Sequence, residues 1–245
     1  MTAKFIIVLG ALALSACTIS PQSGSGPTSP TATSAPSPKQ TAPTSKRSES
    51  QMARDFVAVV NRTEPVAEAE CRARTKGRNC DFKIVVDDRP NQPPNAFQTV
   101  DKSGRPIIAF TLGLIARAQN QDELAFVMGH EAAHHIELHL ERQRQAAVTG
   151  AVVFGGLAAI TGVDPSSVES AQKLGAAVGA RSFSKDFELE ADSLGTIIAH
   201  KAGFDPVRGS AFFGRIPDPG DKFLGTHPPN AARLETVRRV AAGLK

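Results

Sequence analysis

The residues of this chain best suited to chemistry are His130, Glu131 and His134, which form the pattern His-Glu-x-x-His. Residues four apart lie on the same face of an α-helix, so both imidazoles could bind a single Zn²⁺ ion. Glu131 would then stand beside the metal-bound water, where a carboxylate can accept a proton. The pattern therefore predicts the apparatus of a zinc hydrolase.

The surroundings of this pattern favour a buried metal site over a charged, solvated helix face. Apolar residues flank the polar trio on both sides, which indicates that the helix directs its histidines into the protein. A chance pattern with two solvated histidines is the alternative. The flanking apolar residues are Leu124, Ala125, Val127, Met128, Ala132, Ala133 and Ile136.

A catalytic zinc ion usually has three protein ligands and an open fourth position, so a third ligand must come from elsewhere. Metzincins use a histidine ten residues after the first, but here that residue is Leu140, which excludes their pattern. On a regular helix, His135 and His139 would lie about 100° and 180° around from His130. We therefore expect both to point away from the metal, as polar residues of the surface or of a layer behind the site.

A second predicted helix supplies a better third ligand. It would begin with Ser184 as its N-cap and end near Lys201. Glu188 and Asp192 are four apart on one face of this helix. This spacing allows Glu188 to bind zinc while Asp192 accepts an N–H from one of the zinc histidines. Glu190 falls roughly on the opposite face.

Together these motifs resemble the gluzincin zinc metallopeptidases of the HtpX, BepA and CAAX-endopeptidase type. The resemblance covers most of residues 85–240 and rests on several short segments that are jointly specific. They are Asn95-Ala96-Phe97, Asp122-Glu123-Leu124-Ala125, the His130 to His134 motif, Ser182 to Asp186, Glu188-x-x-Ala191-Asp192, Ala202-Gly203-Phe204-Asp205-Pro206 and Thr226-His227-Pro228-Pro229.

The resemblance implies a role for each of the principal polar residues. His130, His134 and Glu188 would hold zinc, Glu131 would be the general base, and Asp192 would support a zinc ligand from behind. The implied fold class is α+β and mainly helical. It is a zincin-like fold with the His-Glu-x-x-His helix, a second ligand helix and a small sheet that has an edge strand.

Two further expectations come from the resemblance alone. In relatives of this type the histidine of the His-Pro-Pro loop can lie close to the metal, so His227 could contact the zinc in a latent state. The alternative is a loop histidine that precedes a last helix beginning near Asn230. Asn95, Ala96 and Phe97 would begin the strand region beside the cleft, where an edge strand can pair with an extended substrate.

Residues 146–163 are uncharged and nearly long enough to span a bilayer. A single pass there would place the two halves of the zinc site on opposite sides of the membrane. We therefore expect one arm of a helical excursion, broken near Val163-Asp164-Pro165, that packs over the catalytic core. An interfacial or substrate-facing role is the alternative.

The first residues of the chain predict where in the cell the protein is located. Residues 1–16 combine Lys4 with the ten-residue apolar run Phe5 to Leu14, which is typical of a signal peptide. Leu14-Ser15-Ala16-Cys17 resembles a lipoprotein lipobox, so we expect lipid on Cys17, with an ordinary signal peptide as the alternative. The next residue is Thr18 and not Asp, which favours the periplasmic face of the outer membrane over the inner membrane.

The rest of the chain divides into a tether and one domain. Residues 17–50 are rich in Ser, Thr, Pro and Gly and cannot form a core, whereas residues 51–245 are long enough for one. The net charge of +4, or +3 without Lys4, is too small to indicate nucleic acid as a partner. Cys71 and Cys80 form an even pair in an oxidising compartment, which favours a disulfide over two free thiols.

The sequence thus predicts a zinc-dependent endopeptidase with one Zn²⁺ per chain. By analogy with the family, its substrates would be misfolded or stalled envelope proteins, and the outer-membrane assembly machinery would be a partner. A non-catalytic or latent zinc-bound chaperone or adaptor lipoprotein is the main rival. Glu131 argues against it, because a structural site needs no base. A hydrolase acting on something other than peptides is a third hypothesis.

Overall fold

A computed structural model describes residues 47–216 and 228–244, and the fold is given for these residues. Its mainly helical α+β architecture with a three-stranded sheet confirms the predicted fold class. The elements are α1 (Glu49–Arg74), β1 (Lys83–Asp87), β2 (Ala96–Val100), β3 (Pro106–Thr111), α2 (Leu112–Arg117), α3 (Gln121–Ile136), α4 (His139–Ile160), α5 (Pro165–Ser182), α6 (Ser184–Lys201), α7 (Pro206–Ser210), a 3-10 helix (Ala211–Arg215) and α8 (Asn230–Ala242).

The sheet has the order β1-β3-β2, with β1 parallel and β2 antiparallel to β3. The central strand β3 carries the buried residues Ile108 and Phe110, which anchor the sheet in the core. A tight turn joins β2 to β3, in which the Asp101 carboxylate accepts hydrogen bonds from the backbone N–H groups of Ser103 and Arg105. Within the described part of the chain β2 pairs with β3 alone, so it is an edge strand, as β1 is on the other side of the sheet.

Helix α3 lies at the centre of the domain and packs against α1, α6, α7 and the sheet. Its apolar side chains, among them Leu124, Phe126 and Met128, are buried in the main core cluster. It approaches α6 closely because glycines face each other at the crossing. A Cβ on Gly129 would lie 2.8 Å from the carbonyl oxygen of Gly195. The two helices can therefore bring their polar residues within contact distance.

A disulfide joins the end of α1 to the segment before β1. It links Cys71 to Cys80, whose Cα atoms are 5.7 Å apart, so the pairing favoured by the sequence is present in the structure. Both residues are buried beside Phe82 in the main core. The bond therefore ties α1, which packs on α3, to the start of the sheet.

Helices α4 and α5 form the excursion that was predicted between the two ligand helices. Gly162 adopts a left-handed φ of +71°, and Asp164 caps α5 by accepting from the N–H groups of Ser166 and Ser167. The predicted break is thus present. Within the described residues the two helices pack mainly on each other and have few contacts with the rest of the domain, so little of the excursion lies over the core.

Small residues allow α4 and α5 to pack closely against each other. A Cβ on Gly150 would lie only 2.0 Å from the Gly175 carbonyl oxygen, and a Cβ on Gly179 would lie 2.1 Å from that of Ala146. The outer face of α4 remains apolar and exposed, with Ile160 81% accessible. None of the helices within residues 47–216 and 228–244 has both the length and the apolar character of a membrane-crossing segment.

Candidate metal centre

Helices α3 and α6 bring His130, His134 and Glu188 to one point. The Nε2 atoms of the two histidines are 3.0 Å apart. One carboxylate oxygen of Glu188 lies 3.5 Å from His130 Nε2, and the other lies 3.5 Å from His134 Nε2. The donor atoms of all three residues lie within 4.8 Å of one another and could hold a metal ion.

The chemistry of these donors fits a divalent cation of the zinc type. Two neutral imidazoles and one carboxylate form a ligand set used by catalytic zinc sites, which keep a fourth position open. Each imidazole turns Nε2 toward the common point and keeps Nδ1 for a hydrogen bond behind it. Such hydrogen bonds orient a ligating histidine and select its tautomer.

Behind His130 stands Asp192, in the place that the helix spacing of α6 predicted. Its Oδ1 atom lies 2.9 Å from His130 Nδ1, and it is fully buried. Arg233 of α8 donates to both oxygens of Asp192, at 2.8 and 2.7 Å, and also lies 3.4 Å from Glu188. Its guanidinium packs 3.7 Å from the ring centre of Phe213.

Sequence reasoning missed Arg233. An arginine one turn into a predicted helix is usually a solvated surface residue, yet this one is only 6% exposed. The available signal was indirect, since Glu188 and Asp192 on one buried face require positive charge nearby. Nothing in the local spacing indicated which cation would supply it.

His139 lies in the layer behind the metal site, one of the two locations that the sequence left open, but it does not point away from that site as expected. Its Nδ1 lies 2.8 Å from Nδ1 of His134, and its Nε2 lies 3.1 Å from a carboxylate oxygen of Glu190. The expectation assumed one regular helix through both histidines. Instead α3 ends at Ile136, and Leu138 adopts a left-handed φ of 63° before α4 begins. This turn brings the side chain of His139 back behind His134.

His135 does point away from the metal site, although it is buried and not on the surface. Its Nε2 lies 2.9 Å from the carbonyl oxygen of Asn79, and its ring packs edge-on against Phe82. These contacts hold α3 against the segment that precedes β1. His135 is therefore a structural residue of the core behind the helix.

Helix α6 ends at Lys201 as predicted, but its start differs from the prediction. Ser184 is the first helical residue and not the cap, and its hydroxyl donates to the Ala180 carbonyl of α5. Phe183 alone separates the two helices, so the end of α5 occupies the position where a capping side chain would act. The face that carries Glu188 and Asp192 is unaffected by this shift.

A cleft of about 630 Å³ opens in front of the three donor residues. Ala96 and Phe97 of the edge strand β2 line it together with Asn95, which precedes that strand, and Glu131 lines it from α3. The strand that the family resemblance implied therefore borders the same cavity as the candidate metal ligands. Within the described residues no strand pairs with the other edge of β2.

The electrostatics of the centre suit a cation and a proton acceptor. Burial raises the pKa of Glu131 from 4.5 to about 7, a suitable range for proton exchange near neutral pH. Burial alone would lower the pKa of His130, but hydrogen bonds to Asp192 and Glu188 raise it to about 10. Burial and the neighbouring His130 lower the pKa of His134 to about 3. The carboxylates of Glu188 and Asp192 thus stabilise positive charge at the point where the two histidines meet.

Two of the predicted site residues lie outside the described residues. They are His227, which precedes α8, and Cys17, the expected lipid attachment site. Their roles therefore remain predictions from the sequence.

Comparison with known proteins gives one family and several relatives. A family model described as Peptidase family M48 matches residues 58–241. The putative beta-barrel assembly-enhancing protease of Vibrio cholerae is 33% identical over 147 residues, covering 55% of this chain and 30% of the relative. The beta-barrel assembly-enhancing proteases of Yersinia pestis and Escherichia coli K12 are 32% and 30% identical, and the match covers 54% and 52% of this chain. The matched region spans only 30% and 29% of those two relatives.

Proposed function

The chain belongs to peptidase family M48, and we propose that it is a zinc-dependent endopeptidase. The observation that carries this proposal is the convergence of His130, His134 and Glu188 beside Glu131 in one cleft. The first three would bind one Zn²⁺ ion. A purely structural zinc site would have no use for a carboxylate that faces the cleft with a raised pKa.

Bound Zn²⁺ would supply Lewis-acid polarisation of the scissile carbonyl. Glu131 accepts a proton from the attacking water while the oxygen of that water forms a bond to the carbonyl carbon of the substrate. Glu131 then delivers that proton to the amide nitrogen as the C–N bond breaks, so that an acid and an amine leave. Asp192 holds the ring of His130, and the edge of β2 at Asn95 to Phe97 pairs with the extended substrate backbone.

The substrates that we propose are misfolded or stalled proteins of the bacterial envelope, and the outer-membrane assembly machinery is the proposed partner. The names of the relatives, which link those proteins to beta-barrel assembly, support this assignment. The lipobox-like segment ending at Cys17 supports a lipid anchor at the periplasmic face of the outer membrane. The disulfide between Cys71 and Cys80 is in keeping with an oxidising compartment.

Replacement of the base tests the proposed activity. Glu131→Gln removes proton transfer but keeps every proposed ligand, so zinc content should stay at one per chain while cleavage of an unfolded protein falls at least about 100-fold. Glu137→Gln, at the end of the same helix and outside the cleft, is the control and should cleave at the wild-type rate. A zinc-loaded Glu131→Gln protein that cleaves as fast as wild type would contradict the proposal.

The rival function, a zinc-bound adaptor without catalysis, differs from a latent enzyme in its response to a change at His227. We propose that His227 restrains the site in the resting protein. If the purified protein is inactive, His227→Ala should release cleavage of the same unfolded substrate. Continued inactivity of that variant with a full zinc content would favour the adaptor.

A further inference from the structure

A chain of polar groups extends from the candidate metal centre behind His134, beginning at the buried His139 and ending at the exposed Arg142. His139 contacts His134 through Nδ1 at 2.8 Å and Glu190 through Nε2 at 3.1 Å. Glu190 in turn accepts from both terminal guanidinium nitrogens of Arg142. The metal-binding and proton-transfer roles assigned above use none of His139, Glu190 and Arg142.

The direction of the hydrogen bonds in this chain is determined by the metal ligand. If His134 binds an ion through Nε2, its proton must be on Nδ1, which then donates to His139. Nδ1 of His139 must accept and therefore carries no proton. Its proton lies on Nε2, where Glu190 is placed to accept it. The arrangement thus has one consistent set of proton positions, and it holds His134 in the ligating tautomer.

Both the backbone conformation and the packing hold His139 in its position. Leu138, which is not a glycine, adopts a left-handed φ of 63° immediately before it, a conformation that L-residues usually avoid. The His139 ring is 4% exposed and stacks on Phe187 with 4.7 Å between ring centres. Arg142 covers the Phe187 ring at 4.3 Å. His139 is therefore clamped by packing as well as by hydrogen bonds.

We propose that His139 and Glu190 are positioning residues for His134, the counterpart of Asp192 behind His130. They set the tautomer and ring orientation of one metal ligand and so strengthen metal binding. The proposal rests on the proposed function in that His134 must ligate zinc. The His-Glu-x-x-His motif of this chain is thus extended by a third histidine that acts on the metal without touching it.

Zinc affinity, measured by competition with a chromophoric chelator, tests this role without reference to catalysis. His139→Ala should weaken zinc binding about 10- to 100-fold, the usual effect of losing a hydrogen-bond partner behind a ligand. His139→Asn, whose amide oxygen can accept from His134 Nδ1, should restore most of the affinity. His135→Ala is the matched control, because it removes a neighbouring buried histidine whose ring nitrogens face Asn79 and Arg78.

A second measurement does not depend on any variant. Two-bond ¹H–¹⁵N NMR correlations of the zinc-loaded wild type should show His134 protonated at Nδ1 and His139 protonated at Nε2. Zinc affinity of His139→Ala within twofold of wild type, or His139 protonated at Nδ1, would overturn the proposal. Absence of zinc binding by the wild type would instead overturn the proposed function.

Discussion

At the scale of single residues, this centre depends on groups that stand behind the proposed ligands. Each histidine proposed as a ligand contacts a hydrogen-bond acceptor through Nδ1, and a line of hydrogen bonds continues from that acceptor to an arginine. Behind His130 the line is Asp192 and Arg233, and it is almost wholly buried. Behind His134 it ends at Arg142, whose side chain is 42% exposed. The buried line should therefore carry the larger share of stability.

Arg233 is expected to be essential for stability in the absence of metal. Arg233→Ala removes the guanidinium that donates to both oxygens of the buried Asp192 carboxylate and, among the described residues, leaves only His130 as its partner. This change should lower the free energy of unfolding of the zinc-free protein by about 3–5 kcal/mol. Chemical denaturation of the zinc-free protein measures this loss. Saturating zinc should reduce this loss of stability, because the ion places positive charge near the carboxylates of Glu188 and Asp192 that Arg233 contacts.

The control for Arg233 is Arg239, an exposed arginine on the same helix. Arg239→Ala should change the free energy of unfolding by less than about 0.5 kcal/mol. An Arg233→Ala loss no larger than that of Arg239→Ala would show that Asp192 does not need this counter-ion.

At the scale of helices and strands, turn and capping residues in the sequence predicted most of the helix ends around the proposed metal ligands. Asp164-Pro165 marked the start of α5, and the end of α6 at Lys201 and the start of α8 at Asn230 lie where turn residues indicated. The break after Ile136 had no such signal. Leu138 is an ordinary helix former, and tertiary contacts of His139 override its preference.

The α4–α5 hairpin offers a matched pair of glycines on one helix. Gly150→Ala should destabilise the protein by about 1–3 kcal/mol, because the new Cβ would collide with the backbone of Gly175. A Cβ added to Gly156 would have no neighbouring atom within 4 Å, so Gly156→Ala should stabilise α4 by about 0.5–1 kcal/mol. Urea unfolding compares the two variants. Equal stabilities would mean that α4 and α5 are not in close contact.

At the scale of the whole molecule, the helices that carry the site are also the centre of the core. Helix α3 places apolar residues such as Phe126 in the main cluster while its polar face lines the cleft. Helix α6 does the same with Ile198. The geometry of the centre is therefore held by the packing of the entire domain, and a change far from the cleft can alter stability without altering the ligands.

The disulfide between Cys71 and Cys80 is such a distant feature. It closes a loop with a sequence separation of nine, so replacing both cysteines by alanine should lower the free energy of unfolding by about 2.5 kcal/mol. Zinc affinity should remain that of the wild type, because neither cysteine lines the cleft. Reduction of the wild type should produce a similar loss of stability. A large loss of zinc affinity would show that the bond also shapes the site.

The sequence by itself determined the proposed primary ligands, and its resemblance to a known family implied the fold class. For the ligands this was possible because the spacing on each helix is visible in the sequence. Their signals are local, because a spacing of four on one helix places His130 beside His134, and Glu188 beside Asp192, in any fold. Tertiary structure alone decided what stands behind them. Arg233 reaches Asp192 across 41 residues of chain, and His139 reaches His134 through a turn that no glycine or proline announced. Contacts between elements depend on how whole helices pack, and no periodicity within one segment encodes that packing.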